Sequence, residues 1–292
     1  MTNNPSNPPL IVVTRKSPLA LAQTNMVMTH LSSVMPGQEF RALKVVTTGD
    51  RQLEWSLEDK GGKGLFTGEL EKALLSHEAD FAVHSSKDLP TDNPEGLTLA
   101  GFLPREIPND VLVLREGVET PSSIATGSPR RRQQLQRLFP QATFMETRGN
   151  VGTRLQKIAD GQADATVLAA AGLKRLGVEN FPGLRFEVLP IEKSVPAVGQ
   201  AAVAIQCRVE DRVKFASFFD KDTARAGRLE RAFLERMGGG CHVAFAAYYR
   251  EGRIHLFHDS TGYRTVEIEE GEMDAHSDAI AEKILGELKI NV

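Results

Sequence analysis

The sequence predicts an α/β protein made of two successive α/β blocks and a small α+β domain. Three features predict it. A strand–helix–strand alternation starts at Leu10, a second α/β block starts at Asp110, and from Asp222 a long helix leads into three short strands and a last helix.

Residues 10–14 form a short apolar run suited to a buried strand, broken at Arg15-Lys16-Ser17-Pro18. A helix follows with apolar positions at Leu19, Ala22, Met26, Val27, Leu31 and Val34, and Pro36-Gly37 stops it. A second strand, 41–47, ends in Thr48-Gly49-Asp50. Ligands of open α/β sheets sit beyond the carboxyl ends of strands, which is where Arg15, Ser17 and Asp50 fall. The glycine-rich stretch 60–66 lacks the Gly-Lys-Ser/Thr ending of a phosphate-binding loop and reads instead as a flexible lid carrying Lys63 and, at its end, Phe66.

A helix over 68–77 leads to a strand over 80–84 and then to Ser85-Ser86-Lys87-Asp88. Hydroxyl, amine and carboxylate thus meet at one strand end. Asp88 is the chain's best candidate for a catalytic carboxylate, although a turn-forming Asp ahead of Pro90 fits the local sequence as well. His84 alternates with apolar residues as a core histidine does. No two histidines stand at metal-ligand spacing, so no metal site is predicted. A strand at 97–102 and a connection at 105–110 precede the second block, with strands at 110–115, 123–126, 142–147 and 163–168. Its helices are expected at 129–138, 151–161 and 169–176, the last with Lys174 and Arg175. Residues 194–200 read as a hinge, and Cys207 sits inside an apolar strand, 201–207, as a structural thiol. The final domain is a helix over 222–237, strands at 243–250, 253–258 and 264–269, and a helix over 274–288.

Charge singles out residues 126–154. This stretch holds six arginines, no lysine and one acid, a local +5 in a chain whose formal net charge is −3. Ser128-Pro129 reads as N-cap and first helical position, which points free backbone N–H groups and the positive dipole end outward. Arg130 and Arg131 then fall in the first turn, the unfavourable end of the dipole for a cation, so a bound anion is a natural reason for them. Arg148 and Arg154 bracket a glycine-containing turn. Guanidinium throughout favours bidentate binding of carboxylate or phosphate over a merely solvated basic face.

Composition sets bounds. The chain's 292 residues, 41% apolar and 25% charged, suit a globular protein with ample core. A pI of about 6.2 and few aromatics argue against a nucleic-acid binder. No apolar run approaches a membrane span or a signal peptide, and two cysteines are too few for a disulfide scaffold, so a cytoplasmic protein is expected. The second cysteine, Cys241, follows three glycines. Such residues are usually bystanders; here the sequence leaves Cys241 as a candidate for covalent attachment.

Taken in order, Arg15-x-Ser17-Pro18-Leu19-Ala20, Gly61-Gly62-Lys63-Gly64-Leu65-Phe66, His84-Ser85-x-Lys87-Asp88, Arg130-Arg131, Arg148-Gly149-Asn150-Val151-Gly152-Thr153-Arg154, Ala171-Gly172-Leu173-Lys174-Arg175-Leu176-Gly177, Pro196-Ala197-Val198-Gly199-Gln200 and Gly239-Gly240-Cys241 resemble the porphobilinogen deaminase family. The resemblance spans about residues 9–250 and implies a transferase of tetrapyrrole (heme) biosynthesis. Such an enzyme joins four porphobilinogens head to tail with loss of ammonia and releases hydroxymethylbilane by hydrolysis. It implies a dipyrromethane cofactor on Cys241, with Lys87, Ser17, Ser128, Arg130, Arg131 and Arg175 on its carboxylates, and Arg15, Arg148 and Arg154 facing the incoming substrate. Asp88 would stabilise developing positive charge through pyrrole N–H groups and move protons. It also implies two domains like periplasmic binding proteins, residues 1–103 with 198–219 and 104–197, and a third, 220–292, carrying the cysteine. A cytoplasmic monomer, acting on a small molecule without nucleic acid or membrane, is expected.

This chain departs from the family pattern at Thr48 for arginine, Ala201 for glycine, Arg132 for glutamine, Gly238 for an acid and Ala244 for proline. The rival reading is a two-lobed protein that only closes on a carboxylated ligand; a tethered thiol would be of no use to it. A nucleic-acid-binding regulator lacks aromatic platforms and a basic overall charge.

Overall fold

The computed structural model describes residues 8–51, 64–238, 244–269, 271 and 273–290. Among them the strands form two five-stranded sheets and one three-stranded sheet. The chain opens with β1 (Leu10–Arg15), α1 (Pro18–Val34), β2 (Phe40–Val45), the one-turn α2 (Thr48–Arg51), α3 (Gly68–Leu75), β3 (Phe81–Ser85), a 3₁₀ turn (Ser86–Asp88) and β4 (Leu97–Phe102). It then crosses over as β5 (Asp110–Arg115) and builds β6 (Ser123–Ala125), α4 (Pro129–Leu138), β7 (Thr143–Met145), α5 (Val151–Ala159), β8 (Ala165–Ala169), α6 (Ala170–Arg175) and β9 (Leu184–Val188). A return crossing supplies β10 (Val203–Arg208) and the short α7 (Arg212–Phe215). The last unit is α8 (Lys221–Arg236), β11 (Phe245–Arg250), β12 (Arg253–His258), β13 (Gly262–Glu267) and α9 (Met273–Glu287).

The two large sheets follow one plan. The first is ordered β2-β1-β3-β10-β4 and the second β7-β6-β8-β5-β9. In each, three parallel strands meet a fourth, antiparallel strand that arrives from the other lobe. The two crossings are thus woven into both sheets, and both lobes present helix starts at the carboxyl ends of equivalent strands. Apolar clusters cover both faces of each sheet. Val12, Val27, Leu31, Phe81 and Ile205 lie on one side of the first, and Val13, Leu70 and Leu74 on the other. The third unit packs α8 and α9 on its three-stranded sheet around Leu229, Phe233, Ile254 and Leu285.

Two helix starts are fixed by the same two residue types. Ser17 and Ser128 are N-caps with extended backbone, each followed by proline, and their hydroxyls accept from Ala20 N at 3.3 Å and Arg131 N at 3.4 Å. Besides the short α7, which had no counterpart in the sequence reading, two elements differ from it. Thr48-Gly49-Asp50, read as a strand end, opens α2, whose Thr48 N and Oγ1 donate to Glu69 Oε1 at 3.0 and 2.8 Å. Residues 184–188 were given no strand, yet form β9, paired antiparallel to β5. The period-two alternation of Leu184, Phe186 and Val188 carried that signal.

Candidate active site

The first lobe brings Arg15, Ser17, Gln23, Phe66, His84 and Asp88 around one pocket. Arg15 ends β1. Its Nε donates to Asp50 Oδ2 at 3.2 Å, its Nη2 makes a second short bond to Asp50 Oδ1, and the Phe66 ring lies 4.3 Å from the guanidinium. Phe66 sits so close over Gly49 that any side chain at 49 would collide with its ring. Asp50 also accepts from Thr47 Oγ1 at 2.7 Å. Burial raises its pKa, but the bonds from Arg15 and Thr47 and the Arg15 charge outweigh that and hold it below the usual value. Gln23, 2% exposed, exchanges hydrogen bonds with Ser85 Oγ at 2.9 and 3.1 Å. His84 is a satisfied core histidine: its Nε2 lies 3.1 Å from Gln206 Oε1, and burial lowers its pKa to about 4. Asp88 closes the 3₁₀ turn after β3, half-buried at the cleft.

The second lobe contributes the arginines. Asp110, the first residue of β5, is fully buried and sits between two of them. Arg130 Nη2 donates to its Oδ2 at 2.9 Å. Arg131 donates to its Oδ1 from Nη2 at 2.7 Å and Nε at 3.2 Å. Ser194 Oγ and Gln200 Nε2 complete the shell, each at 2.9 Å. Burial pushes the Asp110 carboxyl up, yet the two guanidinium charges override it and hold it far below the ordinary carboxylate range. Arg130 Nη1 also donates to Val195 O at 2.5 Å and Arg131 Nη1 to Val167 O at 2.9 Å. A guanidinium has five N–H donors, so each keeps some beyond these bonds. Asp110 was missed in the sequence. Its signal was an acid directly ahead of the apolar run Val111–Leu114, where burial demands cationic partners.

The remaining predicted residues converge from neighbouring elements. Asn150 caps α5 by accepting from Thr153 N at 2.9 Å, which sets Arg148 just before the helix and Arg154 in its first turn. Arg154 Nε donates to Gly149 O at 2.9 Å. Burial, then the charges of Arg131 and Arg148, lower its pKa to about 10, with Asp88 opposing them from the other lobe. Burial and the Arg131 charge lower Lys87 to about 8, against Asp88 and Asp110. Arg175, on α6, donates to Ala201 O in the return crossing, while its buried Nε has no hydrogen-bond partner. Lys63 and Cys241 lie outside the described residues. Among the described residues no group of three or more His, Cys, Asp or Glu could hold a metal ion, and no helix is long and apolar enough to cross a membrane.

The donors gathered in the cleft are of the kind that can receive carboxylates. The Arg131 charge lowers the proton affinity of both Lys87 and Arg154, Arg148 lowers that of Arg154 further, and the buried Arg175 Nε–H has no hydrogen-bond partner. These are features that several carboxylates on one ligand would relieve, and a dipyrromethane with its acetate and propionate arms fits that donor set.

Residues 10–215 match the family described as "Porphobilinogen deaminase, dipyromethane cofactor binding domain". Curated relatives named porphobilinogen deaminase include that of Brevibacillus brevis, 43% identical over 249 residues, 82% of this chain and 80% of the relative. That of Geotalea uraniireducens is 45% identical over 246 residues, 82% and 76% of the two chains. Among solved structures, the Bordetella pertussis BvgS periplasmic VFT2 domain shares 20% identity over 73% of this chain and 90% of its own, with a TM-score of 0.43.

Proposed function

Since the chain belongs to the porphobilinogen deaminase family, we propose that it works as a hydroxymethylbilane synthase in which Asp88 is the reacting carboxylate and the arginines divide cofactor from substrate. Four porphobilinogens are condensed, each new carbon–carbon bond between rings releasing one ammonia, and water releases the linear tetrapyrrole. A dipyrromethane, when bound, supplies the pyrrole carbon on which the chain grows. In this reading it is attached to Cys241, in the unit 220–292, while residues 1–103 with 198–219 and residues 104–197 are the two lobes.

The observation that carries the assignment is Asp88 itself, an acid that faces Lys87 and Arg154 at the junction of the two lobes. Its carboxylate oxygens can accept pyrrole N–H groups, stabilise positive charge left when ammonia departs, and take the proton lost when the ring regains aromaticity. A histidine there would add positive charge to a cleft already rich in it. Arg130 and Arg131, with Ser128, Ser17, Lys87 and Arg175, receive the cofactor's carboxylates. Arg15, Arg148 and Arg154 receive those of each incoming porphobilinogen. Lys63 and Phe66 belong to a lid, and Phe66 stacked on Arg15 supports its place at the substrate side. We take the enzyme to be a monomer, and attachment through a thiol suits a reducing cytoplasm; light scattering and cell fractionation test these two points.

Asp88→Asn is expected to keep fold and covalent cofactor while turnover falls by about 10²–10⁴. A normal rate removes Asp88 from the mechanism. Intact mass of wild type and Cys241→Ser tests attachment: an excess of two linked pyrroles should appear only in the wild type.

A further inference from the structure

The Asp88 turn is only three residues long, and its ends are held from outside it. At the leading end, Ser86 is 4% exposed and its N–H donates to Ala202 O at 3.0 Å. Gly199 bears directly on it: at φ +68 a Cβ there would collide with Ser86 Oγ and lie 3.2 Å from the Ser86 carbonyl carbon. Gly199 N in turn donates to Glu230 Oε2 at 2.9 Å. At the trailing end, Arg231 Nη2 donates to Pro90 O at 2.7 Å and to Thr91 O at 2.5 Å. Between them Leu89, 6% exposed, packs with Phe102, Ala202, Ala204 and Ala224 of α8.

Glu230 and Arg231 are consecutive on α8, so their side chains leave the helix about 100° apart and reach different neighbours. Glu230 is wholly buried. It pairs with Arg105 on the outgoing crossing, Arg105 Nη2 to Oε2 at 3.1 Å, and accepts Tyr249 N at 2.9 Å, while the Arg105 guanidinium lies 4.7 Å from the Tyr248 ring. One carboxylate thereby fixes both crossings to the third unit. Its neighbour fixes the loop after Asp88.

From this juxtaposition we propose that Glu230 and Arg231 form a positioning clamp, by which the third unit sets where the Asp88 carboxylate stands. A reacting carboxylate needs its place held to within roughly 0.5 Å, and a short turn has too few bonds of its own to do that. α8, packed on the first lobe through Phe102, is rigid support; a Cβ on its Gly227 would already touch Phe102 Cζ at 3.6 Å. The clamp rests on Asp88 being the reacting group.

Arg231 carries the test, because Glu230 is wholly buried between partners and its loss would threaten folding. In the cofactor-loaded enzyme, Arg231→Gln is expected to lower kcat about tenfold with KM for porphobilinogen unchanged within about twofold, since misplacing a group costs rate rather than binding. Arg231→Lys should recover part of the loss, as an ammonium can still donate to both carbonyls. Hydrogen exchange of the amides at 86–92 should quicken in Arg231→Gln while those of α8 stay protected. The clamp is overturned if kcat is unchanged, if exchange at 86–92 is unchanged, or if α8 loosens equally and Lys performs no better than Gln. If Asp88→Asn itself turns over normally, the reading beneath the clamp has failed; if Asp88→Asn is dead and Arg231→Gln is not, only the clamp has.

Discussion

The two lobes begin their cleft-side helices alike and treat their arginines differently. Each helix start has Ser as cap and Pro as first residue, with arginine nearby and an aspartate for partner. In the first lobe the Arg15 and Asp50 side chains are 21% and 23% exposed, and Arg15 also packs on the ring of Phe66. In the second, Arg130, Arg131 and Asp110 are 6%, 8% and 0% exposed, and backbone carbonyls of β8 and the return crossing take further donors. The difference matches the ligands proposed for Arg15 and for the Arg130–Arg131 pair. A resident cofactor calls for arginines fixed in advance. A substrate that comes and goes four times per product calls for one whose partner can be exchanged.

Breaking the locked side should have the largest effect. Asp110→Asn leaves two buried guanidiniums without their counter-charge, and loss of one member of a buried pair costs about 3–5 kcal/mol. Denaturant unfolding measures it, and a variant as stable as the parent would show that the second lobe is no more locked than the first. The pH dependence follows from the sign of the shift. Asp110 is held below its unfolded pKa, so its contribution is complete above about pH 4–5 and is lost only as acid approaches the depressed folded value.

Lys87 gives an intermediate effect of opposite sign. Its pKa falls from 10.5 to about 8 on folding, so its charge costs stability below pH 8 and the cost fades between 8 and 10.5. Lys87→Met should therefore be more stable than the parent at pH 7, by about 2 kcal/mol after discount for partial exposure, with the gap closing toward pH 10.5. A gap constant with pH would mean the gain is apolar burial and not relief of charge.

On the exchangeable side, Asp50→Asn should cost no more than about 1 kcal/mol. If a substrate carboxylate replaces Asp50 on Arg15, KM should fall by about two- to fivefold in this variant. A KM rise of the same size would make Asp50 a fixed orienter of Arg15 and remove the contrast between the lobes.

How far this contrast was legible in the sequence depends on range. Most strand ends, the Ser128-Pro129 cap and the arginine run follow from local pattern, and so did the placing of Arg15, Asp88, Arg148 and Arg154 at strand and helix ends. What locks Arg130 and Arg131 did not follow, because Asp110 lies 20 residues from Arg130 and Gln200 lies 90 from Asp110. Nor did the weave of β5 and β10 into opposite sheets, since an apolar run does not state which sheet receives it. Glu230 and Arg231 read as ordinary charges on a helix; only the packing of α8 shows one buried and the other gripping a loop.

Ala201 is the smallest test, and it concerns the crossing that joins the two lobes. The family pattern has glycine here, and this chain holds the alanine at φ +69, buried, with its carbonyl accepting from Arg175. A left-handed L-residue costs roughly 1–2 kcal/mol. Ala201→Gly removes that strain but loosens the unfolded chain by about 0.4–1 kcal/mol. The net gain should be at most about 1.6 kcal/mol, a Tm rise of no more than about 3–6 °C. Since glycine accepts the same φ, the Arg175 bond and kcat should be retained. A loss of stability would mean that the alanine is held there by its packing, and that the crossing in this chain is stiffened by contact with its surroundings and not merely tolerated in a strained backbone.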